Sequence, residues 1–237
     1  MKKHYFLAGV IMILLLSVRG INASAQGVYE NVDGDLAPDE DGYEDSCLQA
    51  EVSEESLKET DEEEVFHTLD SAQGFAMSLP VTHFKQETSY YCGPATTKQT
   101  IYYLGGGNYS QSTLAKELQT TSSGTVMGNI PTIINKHLPG KGYAMRTIPG
   151  NQSTYASQIY TALTSGKPVV IDIIASKSDG WPYNTNGHFL NISGVSCGTQ
   201  GNYITVTDPN SSNAKDIYPL STVYKVNSKH WNKAYIW

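Results

Sequence analysis

The chain has 237 residues, 39% of them apolar, which suffices for one folded domain with a hydrophobic core and some additional segments. Its net charge of −7 is unevenly distributed: residues 26–78 carry 17 acidic side chains against one lysine, whereas residues 79–237 are mildly basic. The basic residues of this last part form no run along the chain, so nucleic-acid binding is not indicated.

The first 25 residues have the pattern of a secretion signal. Lys2 and Lys3 form a positive start, residues 5–18 are almost uninterruptedly apolar, and Ala23-Ser24-Ala25 fits a cleavage site. A membrane anchor is the alternative, but an apolar run of about 14 residues is too short to cross ~30 Å of hydrocarbon as a helix. We therefore expect a secreted, extracellular bacterial protein with no stable membrane association once the signal is removed.

The acidic segment, residues 26–78, is poor in apolar residues and rich in self-repelling charge. Such a composition is typical of a weakly structured segment. It is either an inert linker or a propeptide, and its charge, opposite to that of residues 79–237, favours a propeptide bound within the molecule. A short amphipathic element at residues 63–69 could dock on the domain.

Residues 79–237 predict an α+β domain, because helical patterns come first and strand patterns follow. The first helix has Pro94 in its first turn and a run of glycines after its end, which are typical helix boundaries. We expect helices at residues 92–104, 112–118, 130–137 and 154–164, and a helical turn near 220–224. We expect strands at residues 79–84, 143–148, 169–174, 188–195 and 203–207, and two more within 215–237.

Cys92 begins the first predicted helix. A helix N-terminus offers unpaired N–H groups and the positive end of the helix dipole, which favour the reactive thiolate. Position alone does not exclude a buried structural cysteine. Gln86 lies six residues earlier, and its side-chain amide could form an oxyanion hole with the backbone N–H of Cys92. Taken alone, Gln86 is typical of a surface glutamine.

His188 and Asp208 lie at the boundaries of two consecutive predicted strands. His188 follows a glycine-containing loop and starts one strand, and Asp208 ends the next strand. If the two strands are neighbours, the Asp208 carboxylate lies beside the His188 ring and can fix its tautomer and orientation. Single His and Asp residues are usually structural, but the ordered set of Cys, His and Asp predicts nucleophilic catalysis.

These motifs together resemble the peptidase C39-like family of the papain-like superfamily. The resemblance covers residues 79–237 and rests on Cys-Gly-Pro-Ala at 92–95 with the upstream Gln86, Gly-His-Phe at 187–189 and Thr-Asp-Pro at 207–209. It implies a papain-like α+β fold in which the nucleophile's helix packs on an antiparallel sheet.

The resemblance also implies a role for each residue. Cys92 matches the nucleophile, His188 the general base and acid, Asp208 the residue that orients His188, and Gln86 the oxyanion donor. One departure is Tyr91, where many members carry Asp. The transporter membrane domain of the members that remove double-glycine leader peptides does not follow, so we expect a stand-alone exported relative.

The sequence thus predicts a cysteine peptidase that hydrolyses peptide or amide bonds in a peptide or protein substrate. Two alternatives remain: an acyl transferase or cyclase on the same residues, and a non-catalytic peptide-binding module of the same fold. Neither a cofactor nor a metal is predicted, because His83, His137 and His230 lack clustered partners.

Other cysteines and aromatic residues are less informative. Cys197 is expected as a spare thiol in a turn after a strand. Cys47 could form a disulfide with Cys92 or Cys197 and keep the enzyme latent, although connectivity cannot be read from sequence. Trp181 and Tyr183 line either the cleft or the core.

Overall fold

The structure, a computed structural model, describes residues 74–237. The predictions for the signal at residues 1–25, for the acidic segment up to residue 73, and for Cys47 fall outside these residues.

The described part of the chain contains five α-helices and seven strands. The helices are α1 (Cys92–Tyr103), α2 (Gln111–Glu117), α3 (Asn129–His137), α4 (Gln152–Thr164) and α5 (Leu220–Lys229). The strands are β1 (Phe75–Ser78), β2 (Met145–Thr147), β3 (Val169–Ala175), β4 (Thr185–Cys197), β5 (Tyr203–Thr207), β6 (Asp216–Pro219) and β7 (Ala234–Ile236). A short 3-10 helix covers Lys177–Asp179.

All seven strands join one antiparallel sheet: six follow the order β2-β7-β3-β4-β5-β6, and β1 pairs with β4. The long strand β4 organises this sheet. One edge of β4 pairs first with β3 and then with β1, and the other edge pairs with β5. β4 and β5 are therefore neighbours, and the end of β5 lies beside the first half of β4.

Helices cover both faces of the sheet, because successive side chains of a strand point to opposite faces. On β3, Val170 packs into a core with α1, α2 and α3. Val169, Ile171 and Ile173 pack into a second core with α4 and α5. Both faces of β3 are thus buried, as its run of β-branched residues predicts.

The structure confirms the predicted α+β fold, with the helix that begins at Cys92 packed on an antiparallel sheet. The strand predicted at residues 79–84 is wrong. The strand lies earlier, at Phe75–Ser78, and only the N–H of Leu79 continues the pairing, to Ser193 at 2.7 Å. Pro80 has no N–H to donate, which explains why the ladder ends there.

Two further expectations at the C-terminal side need correction. The helix near residues 220–224 is longer than one turn and extends to Lys229. Cys197 does not lie in a turn: it is the last residue of β4, pairs in register with Phe75, and is buried in the core.

No helix within residues 74–237 combines the length and the apolar character needed to cross a membrane.

Candidate active site

Cys92 is the first residue of α1, and the start of this helix is open to an anion. No acidic side chain lies in its first turn, and Tyr91 at the N-cap makes no side-chain cap. The N–H of Ala95 is bonded to the Tyr91 carbonyl at 2.9 Å, and Pro94 has no N–H. The N–H groups of Cys92 and Gly93 therefore remain for a negative charge next to the sulfur.

A buried polar network fixes α1 against β4. The Asn191 side chain donates to the Thr96 carbonyl at 3.1 Å and to Gln99 at 3.0 Å, and accepts from the Thr100 hydroxyl at 3.0 Å. The Thr96 hydroxyl donates to the Phe189 carbonyl, next to His188, at 2.9 Å. Because these groups are fully buried, breaking one bond leaves a costly unpaired partner. The network therefore holds the Cys92 helix in register with the His188 strand.

His188 lies between Cys92 and Asp208, with its side chain almost completely buried. Its Nε2 is 2.7 Å from Oδ1 of Asp208, and the Cys92 side chain is close enough to the same ring to raise its pKa. Since Nε2 faces the carboxylate, Nδ1 is the nitrogen left for the sulfur. The structure thus brings together three of the four residues singled out in the sequence. His188 is the fourth residue of β4 rather than its first.

The Asp208 carboxylate is held by three donors. Besides His188, the Tyr183 hydroxyl donates to Oδ2 and the backbone N–H of Asn210 donates to Oδ1 at 2.7 Å. Burial alone would raise the pKa of Asp208, but these hydrogen bonds hold the pKa below its usual value. The carboxylate therefore stays ionised although its residue is only 1% exposed.

The same contacts control the charge of His188. Burial alone would lower the pKa of its ring, but the hydrogen bonds and charges of Asp208 and Cys92 raise that pKa to about 10. An imidazolium is thus favoured beside the sulfur. Such a cation stabilises a neighbouring thiolate, the reactive form of cysteine.

Gln86 is held in the segment that leads into α1. Its side-chain Nε2 donates to the Thr88 carbonyl at 2.9 Å, and that carbonyl also accepts from the N–H of Tyr91 at 3.2 Å. Its backbone N–H donates to the Pro209 carbonyl at 2.9 Å. One N–H of the amide is therefore engaged with Thr88, and the second is the one available for an oxyanion.

Gln111 on α2 fixes the backbone on both sides of Gln86. Its side chain donates to the Lys85 carbonyl at 2.7 Å and accepts from the Glu87 N–H at 3.0 Å. The position of Gln86 is thus set by a neighbouring helix.

A second carboxylate, Asp172 of β3, lies under the backbone of His188. Its Oδ1 accepts the His188 N–H at 3.0 Å, and its Oδ2 is 3.1 Å from Nε2 of His230, off the line of a hydrogen bond. Burial raises the pKa of Asp172 to about 7 and lowers that of His230 to about 4. Both residues are almost fully buried, so desolvation favours the neutral form of each.

The other histidines and the aromatic residues have separate roles. His83 contacts the backbone carbonyl of Asp208 at 2.9 Å, and His137 pairs with Glu117 at 2.6 Å. Trp181 belongs to the core and stacks on Tyr218. Among residues 74–237, no cluster of three or more His, Cys, Asp or Glu side chains could hold a metal ion.

Comparison with protein families gives one match. The model of the Peptidase_C39 like family matches residues 78–235, which include Cys92, His188, Asp208 and Gln86. The chain belongs to the Peptidase_C39 like family. Membership in this peptidase family gives the chain a cysteine peptidase-type function. No curated protein is significantly similar to it in sequence.

Among the solved structures that this C39-like domain resembles, the first named here has the same fold. A putative C39-like peptidase from Bacillus anthracis is 15% identical with a TM-score of 0.51, covering 68% of this chain and 96% of its own. The peptidase domain of Streptococcus ComA, a bifunctional ABC transporter of a quorum-sensing pathway, is 22% identical with a TM-score of 0.44, covering 66% and 96%. A double-glycine-motif protease from an AMS/PCAT transporter is 13% identical with a TM-score of 0.43, covering 68% and 91%.

Sequence reasoning missed two residues of this C39-like site. The sequence does not distinguish a cleft position from a core position for Tyr183, and nothing in its local pattern points to Asp208. Asp172 carries a clearer signal, because a lone acidic residue within the apolar strand β3 is rarely buried without a purpose.

Proposed function

We propose that this domain is a secreted cysteine peptidase with Cys92 as nucleophile, His188 as general base and acid, and Asp208 as the residue that orients His188. The observation that carries the proposal is the position of His188, whose ring is hydrogen-bonded to Asp208 and interacts with the Cys92 side chain. A nucleophile, a base and an orienting carboxylate in line are the requirements of this chemistry.

The reaction proceeds through an acyl-enzyme. The Cys92 thiolate attacks the carbonyl carbon of the substrate and forms a C–S bond. The C–N bond then breaks, and the leaving amine takes its proton from His188. A water molecule next gives a proton to His188 while its oxygen attacks the thioester, which breaks the C–S bond and restores the thiolate.

The negative oxygen of each tetrahedral intermediate needs donors near the sulfur. The N–H of Cys92 at the start of α1 is one, and the second N–H of the Gln86 amide is the other in our proposal. Because Gln111 and the Pro209 carbonyl fix the Gln86 segment, the donor is oriented before substrate binds.

The charge distribution supports a latent precursor. Residues 26–78 carry 17 acidic side chains against one lysine, and residues 79–237 carry 12 basic against 6 acidic ones. In our proposal the acidic segment is a propeptide of an exported enzyme, attracted to the domain by opposite charge. Such attraction weakens as ionic strength rises.

The decisive experiment compares peptide hydrolysis by wild type and by its Cys92→Ala variant, each from Gln26 with and without residues 26–73. We expect the variant to lose activity by a factor on the order of 10⁴–10⁶. Cys197→Ala is the matched control, since this thiol is also buried but lies at the far end of β4. Equal activity in wild type and Cys92→Ala would exclude the proposal.

Two further measurements complete the test. Limited removal of residues 26–73 should raise activity if this segment is a propeptide, and unchanged activity would make it a linker. Product analysis with and without an added amine distinguishes hydrolysis from acyl transfer, because a transferase would form the amide of the added amine.

A further inference from the structure

Two apolar side chains near Cys92 and His188 are strongly exposed. Val126 is 66% exposed and Trp231 is 63% exposed. Single apolar residues on a surface are common and need no explanation. These two differ because each belongs to a loop that contacts the neighbour of a proposed catalytic residue.

Val126 is tied to the Cys92 side. The preceding residue, Thr125, packs against Gly93 so closely that a methyl group on Gly93 would lie 2.3 Å from its Oγ1. Trp231 is tied to the His188 side. A methyl group on Gly187 would lie 4.0 Å from Cη2 of the indole.

The two loops also contact each other. The Asn232 side chain donates to Sδ of Met127 at 3.5 Å, and these residues directly follow Trp231 and Val126. The contacts thus link the two loops to each other and to both sides of the site, where the Cys92 side chain and the His188 ring interact. The loops that carry Val126 and Trp231 therefore contact each other on one rim beside the proposed active site.

The exposed indole is also held in place. Its ring centroid lies 3.8 Å from that of His230, which is 1% exposed and contacts Asp172. Asp172 in turn accepts the N–H of His188. The same buried pair therefore supports the base and the indole, so binding on the indole would cost little ordering of the protein.

We propose that Val126 and Trp231 form an apolar subsite that binds an apolar side chain of the peptide substrate within about two residues of the scissile bond. The inference rests on the proposed peptidase function. An extended peptide advances by about 3.3 Å per residue, so a side chain near the scissile bond reaches a rim adjoining both Cys92 and His188. An apolar side chain fits, because both groups offered to it are apolar and already exposed.

The test uses the full chain from Gln26 and peptide libraries varied at each of the two positions on either side of the cleaved bond. We expect a preference for apolar side chains at one position, reduced about 10–100-fold in kcat/KM by Val126→Asn and by Trp231→Ala. Ile217→Asn is the matched control, since Ile217 is 67% exposed on the edge strand β6. This control should leave the preference unchanged.

Two measurements separate this inference from the proposed function. Alkylation of Cys92 by iodoacetamide, a small probe, should proceed at the same rate in wild type, Val126→Asn and Trp231→Ala. Rapid alkylation and hydrolysis with an unaltered preference in both variants would overturn the subsite and leave the peptidase intact. If the wild type fails to hydrolyse peptides, the subsite can still be tested by the binding of an apolar peptide to Cys92→Ala. Weaker binding after Val126→Asn is added to this variant supports the subsite, and equal binding overturns it.

Discussion

The Asp172 carboxylate accepts the backbone N–H of His188 at 3.0 Å, across the pairing of β3 with β4. The proposed base is therefore oriented twice, with its ring held by Asp208 and its main chain by Asp172. The two carboxylates differ in charge, since hydrogen bonds lower the pKa of Asp208 while burial raises that of Asp172 to about 7.

Asp172→Asn should change how stability depends on pH. The ionised form of Asp172 is disfavoured in the fold, so its contribution is fully present below the ordinary pKa of 3.8 and is lost as pH rises through about 7. The variant lacks this titration, so its melting temperature relative to wild type should be higher at pH 8 than at pH 5. A difference that is the same at both pH values would contradict the raised pKa.

Asp208→Asn should move the alkaline limit of activity. The carboxylate helps to raise the pKa of His188 to about 10, and the leaving amine needs the proton of His188. Without the carboxylate, His188 loses that proton at a lower pH. The alkaline fall in kcat/KM should therefore begin at a lower pH than in wild type, and kcat/KM should be lower overall by a factor on the order of 10⁴. Asp216→Asn, which alters a carboxylate on β6, should match wild type. An unchanged alkaline limit in Asp208→Asn would refute the assignment.

Tyr183→Phe removes one donor from Asp208 and keeps the ring. The hydrogen bond lowers the pKa of Asp208, so its loss should raise that pKa and shift the acid limit of kcat/KM to higher pH. The fall in kcat/KM should be about 10–100-fold, as for a hydrogen bond to a charged group. Tyr224→Phe loses a bond to the Pro149 carbonyl away from the site and should leave the pH profile unchanged.

Gln86→Ala tests the oxyanion donor. We expect kcat to fall about 10²–10³-fold, while iodoacetamide modifies Cys92 at the wild-type rate, because alkylation forms no oxyanion. Gln111→Ala frees the backbone on both sides of Gln86 and should cause a smaller loss of the same kind. A fall in alkylation equal to the fall in kcat would show instead that Gln86 supports the position of Cys92.

Gly93→Ala should destabilise the domain, because the added methyl group would lie 2.3 Å from Oγ1 of Thr125. Overpacking of this kind costs about 1–3 kcal/mol. Gly150→Ala is the matched control, since nothing lies within 4 Å of its methyl position. Chemical denaturation should show that Thr125→Gly compensates part of the loss in the double variant, and strictly additive effects would argue against the contact.

The helices and the main strands could be predicted from sequence because their signals are local. Strand β5 has the predicted bounds, and α1 begins at Cys92 as its Gly-Pro sequence indicates. The strand predicted at residues 79–84 is wrong because Leu79 and Val81 are buried without strand pairing. These side chains fill the core from an irregular segment, a possibility that a pattern of alternating residues cannot exclude.

The site could be predicted in part for the same reason. Cys92, His188 and Asp208 lie at or near element boundaries, where local patterns are informative. Tyr183, Asp172 and Asn191 act through partners on other strands or helices, and those distances depend on sheet order. The face of α1 that packs on the sheet carries the polar residues Thr96 and Thr100. The sequence of α1 therefore shows no apolar stripe by which its buried face could be recognised.

The pairing of β1 sets a limit on maturation. Phe75 to Ser78 pair with the part of the β4 edge that β3 does not cover. A methyl group on Gly74 would lie 2.1 Å from the Cys197 carbonyl. A protease that trims the N-terminal region and preserves this pairing must therefore cut before Phe75. The shortest chain that keeps this pairing would begin with a sheet strand, and further trimming would expose the C-terminal half of β4 along one edge.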